Sequence, residues 1–167
     1  MTSQHELQNT KPRVGIFVDV QNIYYTCRES YGKNFDYNAF WRVMAQQYNI
    51  ECAFAYAIYR GDEKQSQFQN ILRAIGFEVK LKPFIQRRDG SAKGDWDVGI
   101  TIDMLEHGKN LDKVILLSGD GDFALLLGHL KSQYNVPCDV YGADRLTAEA
   151  LKQSAEQFHL IDNTFLL

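Results

Sequence analysis

The stretch Arg13-Val-Gly-Ile-Phe-Val-Asp-Val20 constrains the fold most, because it is apolar with no alternation. A strand with one wet face alternates apolar and polar residues, whereas one that stays apolar must be covered on both sides. Similar runs recur at Glu51 to Tyr59, Lys113 to Leu117 and Pro137 to Tyr141. Stretches with helical spacing lie between them. Tyr24, Cys27 and Tyr31 form one stripe, and Asp36 is placed to cap a helix that turns Phe40, Val43 and Met44 inward. Gly61-Asp62 opens a helix striped by Phe68, Ile71, Leu72 and Ile75, and Gly76 stops it. A helix from Asp95 to His107 carries Val98, Ile102 and Leu105, and the helix after Asp122 carries Phe123, Leu126, Leu127, Leu130 and Tyr134. Leu146 to Ser154 predicts a last helix, and Phe158 to Ile161 a short final strand.

Strand and helix alternate throughout, which implies right-handed crossovers. The fold class is therefore α/β: a central, mostly parallel sheet flanked by helices. A single domain is expected over residues 13–167, preceded by a flexible tail over residues 1–12. Phe77 to Phe84 alternates apolar and basic residues and reads as an edge strand whose wet face carries Lys80 and Lys82. Residues 85–94 read as a long mobile loop.

The chain has 45% hydrophobic residues, enough for a core without staples. Its three cysteines stand in no paired spacing, which argues against a disulfide framework and against structural zinc. With a net charge of −3, any polyanion must be held by a local patch or through bound metal. The N-terminal residues lack an apolar signal region, and no run approaches the roughly 18 apolar residues that cross a bilayer. The expectation is a soluble, cytoplasmic protein with no membrane contact. Exposed aromatics and the wet-faced edge hint at a homodimer.

In open α/β sheets, sites form beyond the carboxyl ends of strands, where strand order reverses. Asp19 and Asn22 follow the first strand, and Ser118-Gly-Asp120-Gly-Asp122 follows the fourth. Lys93-Gly-Asp95-Trp-Asp97 opens the helix before that fourth strand. If strands one and four are neighbours, all three motifs face one crevice. Asp95, Asp97 and Asp120 each also suit the first turn of a helix, where negative charge is favoured. Asp19 is different: a carboxylate ending a buried strand is costly unless it is paired or metal-bound. Asn22 suits a neutral oxygen ligand, a substrate-orienting group or a local turn. Crowding Asp19, Asp97, Asp120 and Asp122 together calls for a cation, and hard oxygen ligands without His or Cys favour Mg²⁺ or Mn²⁺. Asp103 lies about 120° round the helix from Asp97 and reads as structural. The four histidines have no ligand spacing and read as surface or core fillers. Lys80, Lys82, Arg87, Arg88 and Lys93 lead into the acidic helix start and could guide a phosphodiester backbone, or form an ordinary solvated loop. Tyr24, Tyr25 and Trp96 flank the crevice as base-stacking or core rings.

Phe17-Val-Asp19-x-x-Asn22, Lys93-Gly-Asp-Trp-Asp97-Val with Asp103-Met, and Ser118-Gly-Asp120-Gly-Asp122-Phe123 resemble the NYN domain of the LabA-like group, within the PIN-like nuclease superfamily. The likeness spans roughly residues 13–163. It implies a three-layer Rossmann-like (PIN-like) fold and a Mg²⁺- or Mn²⁺-dependent endoribonuclease hydrolysing RNA phosphodiester bonds. It also implies that Asp19, Asp97, Asp120 and Asp122 hold metal, with Asn22 and Ser118 supporting the metal or the scissile phosphate. The same likeness leaves open a non-catalytic regulator that binds RNA or a protein partner.

Overall fold

A computed structural model describes residues 11–83, 85–86, 92–93 and 95–167 of the chain. Residues 1–10 of the expected tail lie outside these, as do Arg87 and Arg88. Lys11 and Pro12 are not loose, since the Asn49 N–H donates to the Pro12 carbonyl at 2.9 Å.

The apolar runs become strands of one sheet. These are β1 (Arg13–Asp19), β2 (Asn49–Tyr59), β3 (Glu78–Pro83), β6 (Lys113–Leu117), β7 (Cys138–Gly142) and β8 (Phe158–Leu160), ordered β3-β2-β1-β6-β7-β8. All neighbours pair in parallel. The chain builds outward from β1 to β3, returns, and builds the other way from β6 to β8. The reversal therefore falls between β1 and β6, the first and fourth runs, whose register pairs Val18 with Leu117. β3 is an edge strand, as its alternation predicts. Residues expected to form a loop instead include a short antiparallel ribbon of β4 (Ile85–Gln86) and β5 (Ala92–Lys93).

Strand alternation sends side chains to two cores. Val14, Ile16, Val18, Ala53, Ala55, Ala57, Ile115 and Leu117 meet α1 (Val20–Tyr31), α2 (Tyr37–Gln47) and α3 (Glu63–Ile75) on one face. Phe17, Phe54, Tyr56, Val114, Leu116 and Val140 meet α4 (Asp97–Gly108), α5 (Ala124–Tyr134) and α6 (Glu149–Ser154) on the other. Among the described residues no helix is long and apolar enough to cross a membrane.

Helix starts follow the expected caps, but several helices are rotated from the expected stripe. Asp36 accepts the Ala39 N–H at 3.0 Å and Asp62 the Lys64 N–H at 2.8 Å. In α1 the buried set is Val20, Ile23, Thr26 and Cys27, while Tyr24 is exposed. In α3 Gln69 is buried and Ile71 exposed. In α4 Ile100 and Met104 face the sheet, and Val98 and Ile102 are 70% and 55% exposed. That helix carries apolar residues on two faces, so periodicity alone does not choose between them. Two anchors decide: Trp96 Nε1 donates to the Ala57 carbonyl at 2.8 Å, and Asp103 accepts from Tyr56 Oη at 2.8 Å. The basic side of β3 is consequently not an open wet face. Lys80 reaches Asp103 at 2.6 Å and stands over the Phe54 ring, and Lys82 stands over Trp96.

His159 is more than a filler. At the far end of the sheet from the reversal crevice, it and Lys113 both reach Asp139 Oδ2, at 3.1 and 3.2 Å, with the carboxylate buried.

Candidate functional site

β1 ends at Asp19, and α1 starts on the next residue, so the carboxylate sits where the buried strand turns into a helix. It is 8% exposed. Its hydrogen bonds are long: Oδ1 accepts the Asn22 N–H at 3.5 Å and Oδ2 the Ser118 hydroxyl at 3.4 Å. Bonds of that length offset little of the cost of burying a charge. Burial, together with the charges of Asp120 and Asp95, pushes the Asp19 carboxyl up to about 6 against the opposing pull of those two bonds.

Across the β1–β6 seam, Ser118 is fully buried at the end of β6. While its hydroxyl donates to Asp19, its oxygen accepts the Asp120 N–H at 3.2 Å. Asp120 Oδ1 in turn accepts the Asp122 N–H at 2.9 Å and so starts the short 3-10 turn Gly121–Phe123. The capping role considered for Asp120 is thus real, and it aims the second carboxylate. Asp97 lies on the first turn of α4; Asp95 Oδ1 takes the Asp97 N–H at 3.3 Å. Carboxylate oxygens of Asp97, Asp120 and Asp122 come within 4.8 Å of one another. Asp19 is outside this tightest group but close enough to feel the charge of Asp120. Burial first, then a hydrogen bond with Asp120 and the charges of Asp120, Asp95 and Asp19, push Asp97 up to about 7.

Asn22, considered as a neutral ligand, a substrate-orienting group or a local turn, makes a side-chain contact across the seam. Its Oδ1 accepts the Gly119 N–H at 2.8 Å, tying α1 to the β6 loop and leaving its amide N–H₂ as the donor end. Gly119 itself cannot carry a side chain. A Cβ there would sit 2.3 Å from the Leu146 carbonyl oxygen, and the Gly119 carbonyl accepts the Ala148 N–H at 3.0 Å. Residues 146–148, expected within the last helix, are instead the shelf on which the acidic loop rests, and α6 starts at Glu149.

The remaining predicted residues scatter. Tyr24 and Tyr25 are 57% and 66% exposed, so neither packs the core. Trp96 is held by its bond to Ala57, by the Tyr56 ring and by Lys82, which makes it a strut rather than a free platform. Lys93 lies on β5, and its side chain falls outside the described residues. Asp95 adds charge to the crevice beyond the four aspartates singled out, and its place two residues before Asp97 was the visible signal. Arg145 carried no sequence signal; it holds φ at 64°, a left-handed conformation costing roughly 1–2 kcal/mol for a residue with a Cβ.

A parallel α/β domain with carboxylates gathered at its reversal point has a candidate metal site in the crevice where such sheets bind their ligands. The chain belongs to the NYN domain family, whose model matches residues 13–162, and so to the PIN-like nucleases. It is homologous to the "Low amplitude and bright protein LabA" of Synechococcus elongatus, with 27% identity over 154 residues, 87% of this chain and 82% of that protein. A crystal structure of a protein of unknown function from Vibrio parahaemolyticus is 56% identical, superposes with a TM-score of 0.89, and matches over 100% of both chains.

Proposed function

We propose that this domain is a metal-dependent endoribonuclease that hydrolyses RNA phosphodiester bonds at the crevice between β1 and β6. The observation that carries the reading is the convergence of Asp97, Asp120 and Asp122 within 4.8 Å, beside a buried Asp19. Carboxylates so placed, with Asp97 pushed up to about 7, compete for a proton, and a cation replaces that proton when it binds. The donors are carboxylate oxygens, which suits Mg²⁺ or Mn²⁺. Asp97, Asp120 and Asp122 would hold the ion, with Asp19 behind them. When bound, such an ion polarises a phosphoryl oxygen and lowers the pKa of water.

The chain's own residues supply the rest. Ser118 links Asp19 to the Asp120 backbone and keeps the two acidic strand ends in register. The amide hydrogens of Asn22 would donate to a phosphate, while its oxygen stays on Gly119. Tyr24 and Tyr25, exposed on the same helix as Asn22, offer rings to bases of a single strand.

The test is cleavage of a labelled single-stranded RNA by the full chain with Mn²⁺, alongside Asp120→Asn. Metal-dependent cleavage that falls at least 100-fold in the variant is the expected result. No cleavage, with ion affinity unchanged in Asp120→Asn, overturns the reading. A non-catalytic regulator is the second reading, favoured by Val98 and Ile102 standing exposed beside Asp97, as a partner contact would require. It requires a partner whose binding is lost in Ile102→Asp and whose presence covers Asp97.

A further inference from the structure

Ala143 to Leu146 form a turn beyond β7, with the Leu146 N–H donating to the Ala143 carbonyl at 3.4 Å. Arg145 occupies the third position with φ at 64°, where glycine or asparagine is favoured. The turn is clamped on both sides. Ser30 Oγ of α1 donates to the Asp144 carbonyl at 2.7 Å, and Tyr31 Oη accepts the Asp144 N–H at 2.9 Å. Thr147 Oγ1 donates to the Ala143 carbonyl at 2.9 Å. The shelf that follows directly supports Gly119, the residue before Asp120.

Between α1 and this turn lies a cleft of about 310 Å³ lined by Glu29, Ser30, Asp144, Arg145 and Leu146. Arg145 is exposed and makes no ion pair among the described residues. Glu29 and Asp144 share the cleft without closing on it, so its guanidinium donors stay open. Lys80 and Lys82 are committed to Asp103 and to the Asp95 carbonyl. Ser30 follows Asn22 by eight residues of α1, about 12 Å along the helix and about 80° round it.

We propose that Arg145 and this cleft form a phosphate subsite for the RNA strand, one that takes a neighbouring phosphate rather than the scissile one. The inference rests on the nuclease reading for its ligand, and it explains why a residue with a Cβ is kept in a glycine conformation. Arg145 is a substrate-positioning residue: its fork suits a phosphate, and the rigid turn fixes where it stands.

The test compares Arg145→Gln and Arg145→Gly with the parent chain, each full length. Binding of a labelled single-stranded RNA is titrated against salt in the Asp120→Asn background, and cleavage with Mn²⁺ is measured without that change. Both Arg145 variants should bind roughly five- to tenfold more weakly, with the log–log salt slope smaller by about 0.7. KM should rise while kcat and Mn²⁺ affinity stay within twofold. Arg145→Gly should also melt higher than the parent, because the left-handed turn is relieved, so its weaker binding cannot be a folding defect. Unchanged affinity and slope in both variants overturn the subsite, even if the chain cleaves RNA. Arg145-dependent binding without any cleavage supports the subsite and overturns the nuclease reading. A parent chain that neither binds nor cleaves RNA overturns both.

Discussion

Asp19 is a stability cost kept at the centre of the domain. Its two hydrogen bonds, at 3.5 and 3.4 Å, are too long to satisfy a buried charge. Asparagine keeps the shape and can still accept from Asn22 and Ser118 without the charge. Asp19→Asn should therefore raise stability by about 1–3 kcal/mol at pH 8 in metal-free buffer, as measured by urea denaturation. The same variant should lose Mn²⁺-dependent cleavage. A destabilised variant would mean that the carboxylate is better satisfied than its geometry implies. Position 22 makes a related point. A sequence reading sees an amide near an acidic strand end, whereas its fixed duty is to hold Gly119, a residue across the seam and 97 positions along the chain.

At the scale of elements, the acidic loop depends on contact with a shelf. The Leu146 carbonyl approaches Gly119 so closely that Gly119→Ala must move backbone rather than a side-chain end. Overpacking of this kind should cost about 1–3 kcal/mol and lower the melting temperature. It should also weaken Mn²⁺ binding, read by calorimetric titration, because Asp120 and Asp122 follow directly. An unaffected Mn²⁺ affinity would show that the shelf does not position the acids. The strands were legible, because doubly buried strands leave unbroken apolar runs, but their order was not: the adjacency of the first and fourth entered only as a condition. Asp19 and the Asp120–Asp122 loop were legible for the same reason, since they sit where those runs stop, whereas Asp97 opens a helix. Helix rotation was not. Val98 and Ile102 form as good a stripe as Ile100 and Met104, and the choice is made by Trp96 and Asp103 reaching β2. Residues 146–148 have helical composition, yet they pack as a non-helical support, which no local preference encodes.

For the whole molecule, the carboxylate cluster sets how stability varies with pH. Asp19 and Asp97 hold their protons up to about 6 and about 7 when folded, against an ordinary value of 3.8. The folded chain thus binds more protons than the unfolded one between those values. Stability contributed by the protonated carboxyls is present near pH 4 and is lost as pH rises toward 7. A divalent cation reverses the loss by taking the protons' place. The melting temperature gained from 5 mM Mn²⁺, roughly, should be several degrees larger at pH 8 than at pH 5 by scanning calorimetry. An equal gain at both pH values would place the ion elsewhere.

The sheet order has a further consequence. The main sheet up to Gln86 is β3, β2 and β1, and from Ala92 it is β6, β7 and β8, so its two halves join along the β1–β6 ladder, with the β4–β5 ribbon and the Trp96 and Asp103 bonds to β2 as further contacts. Asp19 belongs to the first half, and Asp97, Asp120 and Asp122 to the second. The domain is in this sense a heterodimer written on one chain. Severed within residues 87–91, its halves would have the seam as their natural interface; the second would carry Asp97, Asp120 and Asp122, and buried Asp19 would join them only where the two pieces met.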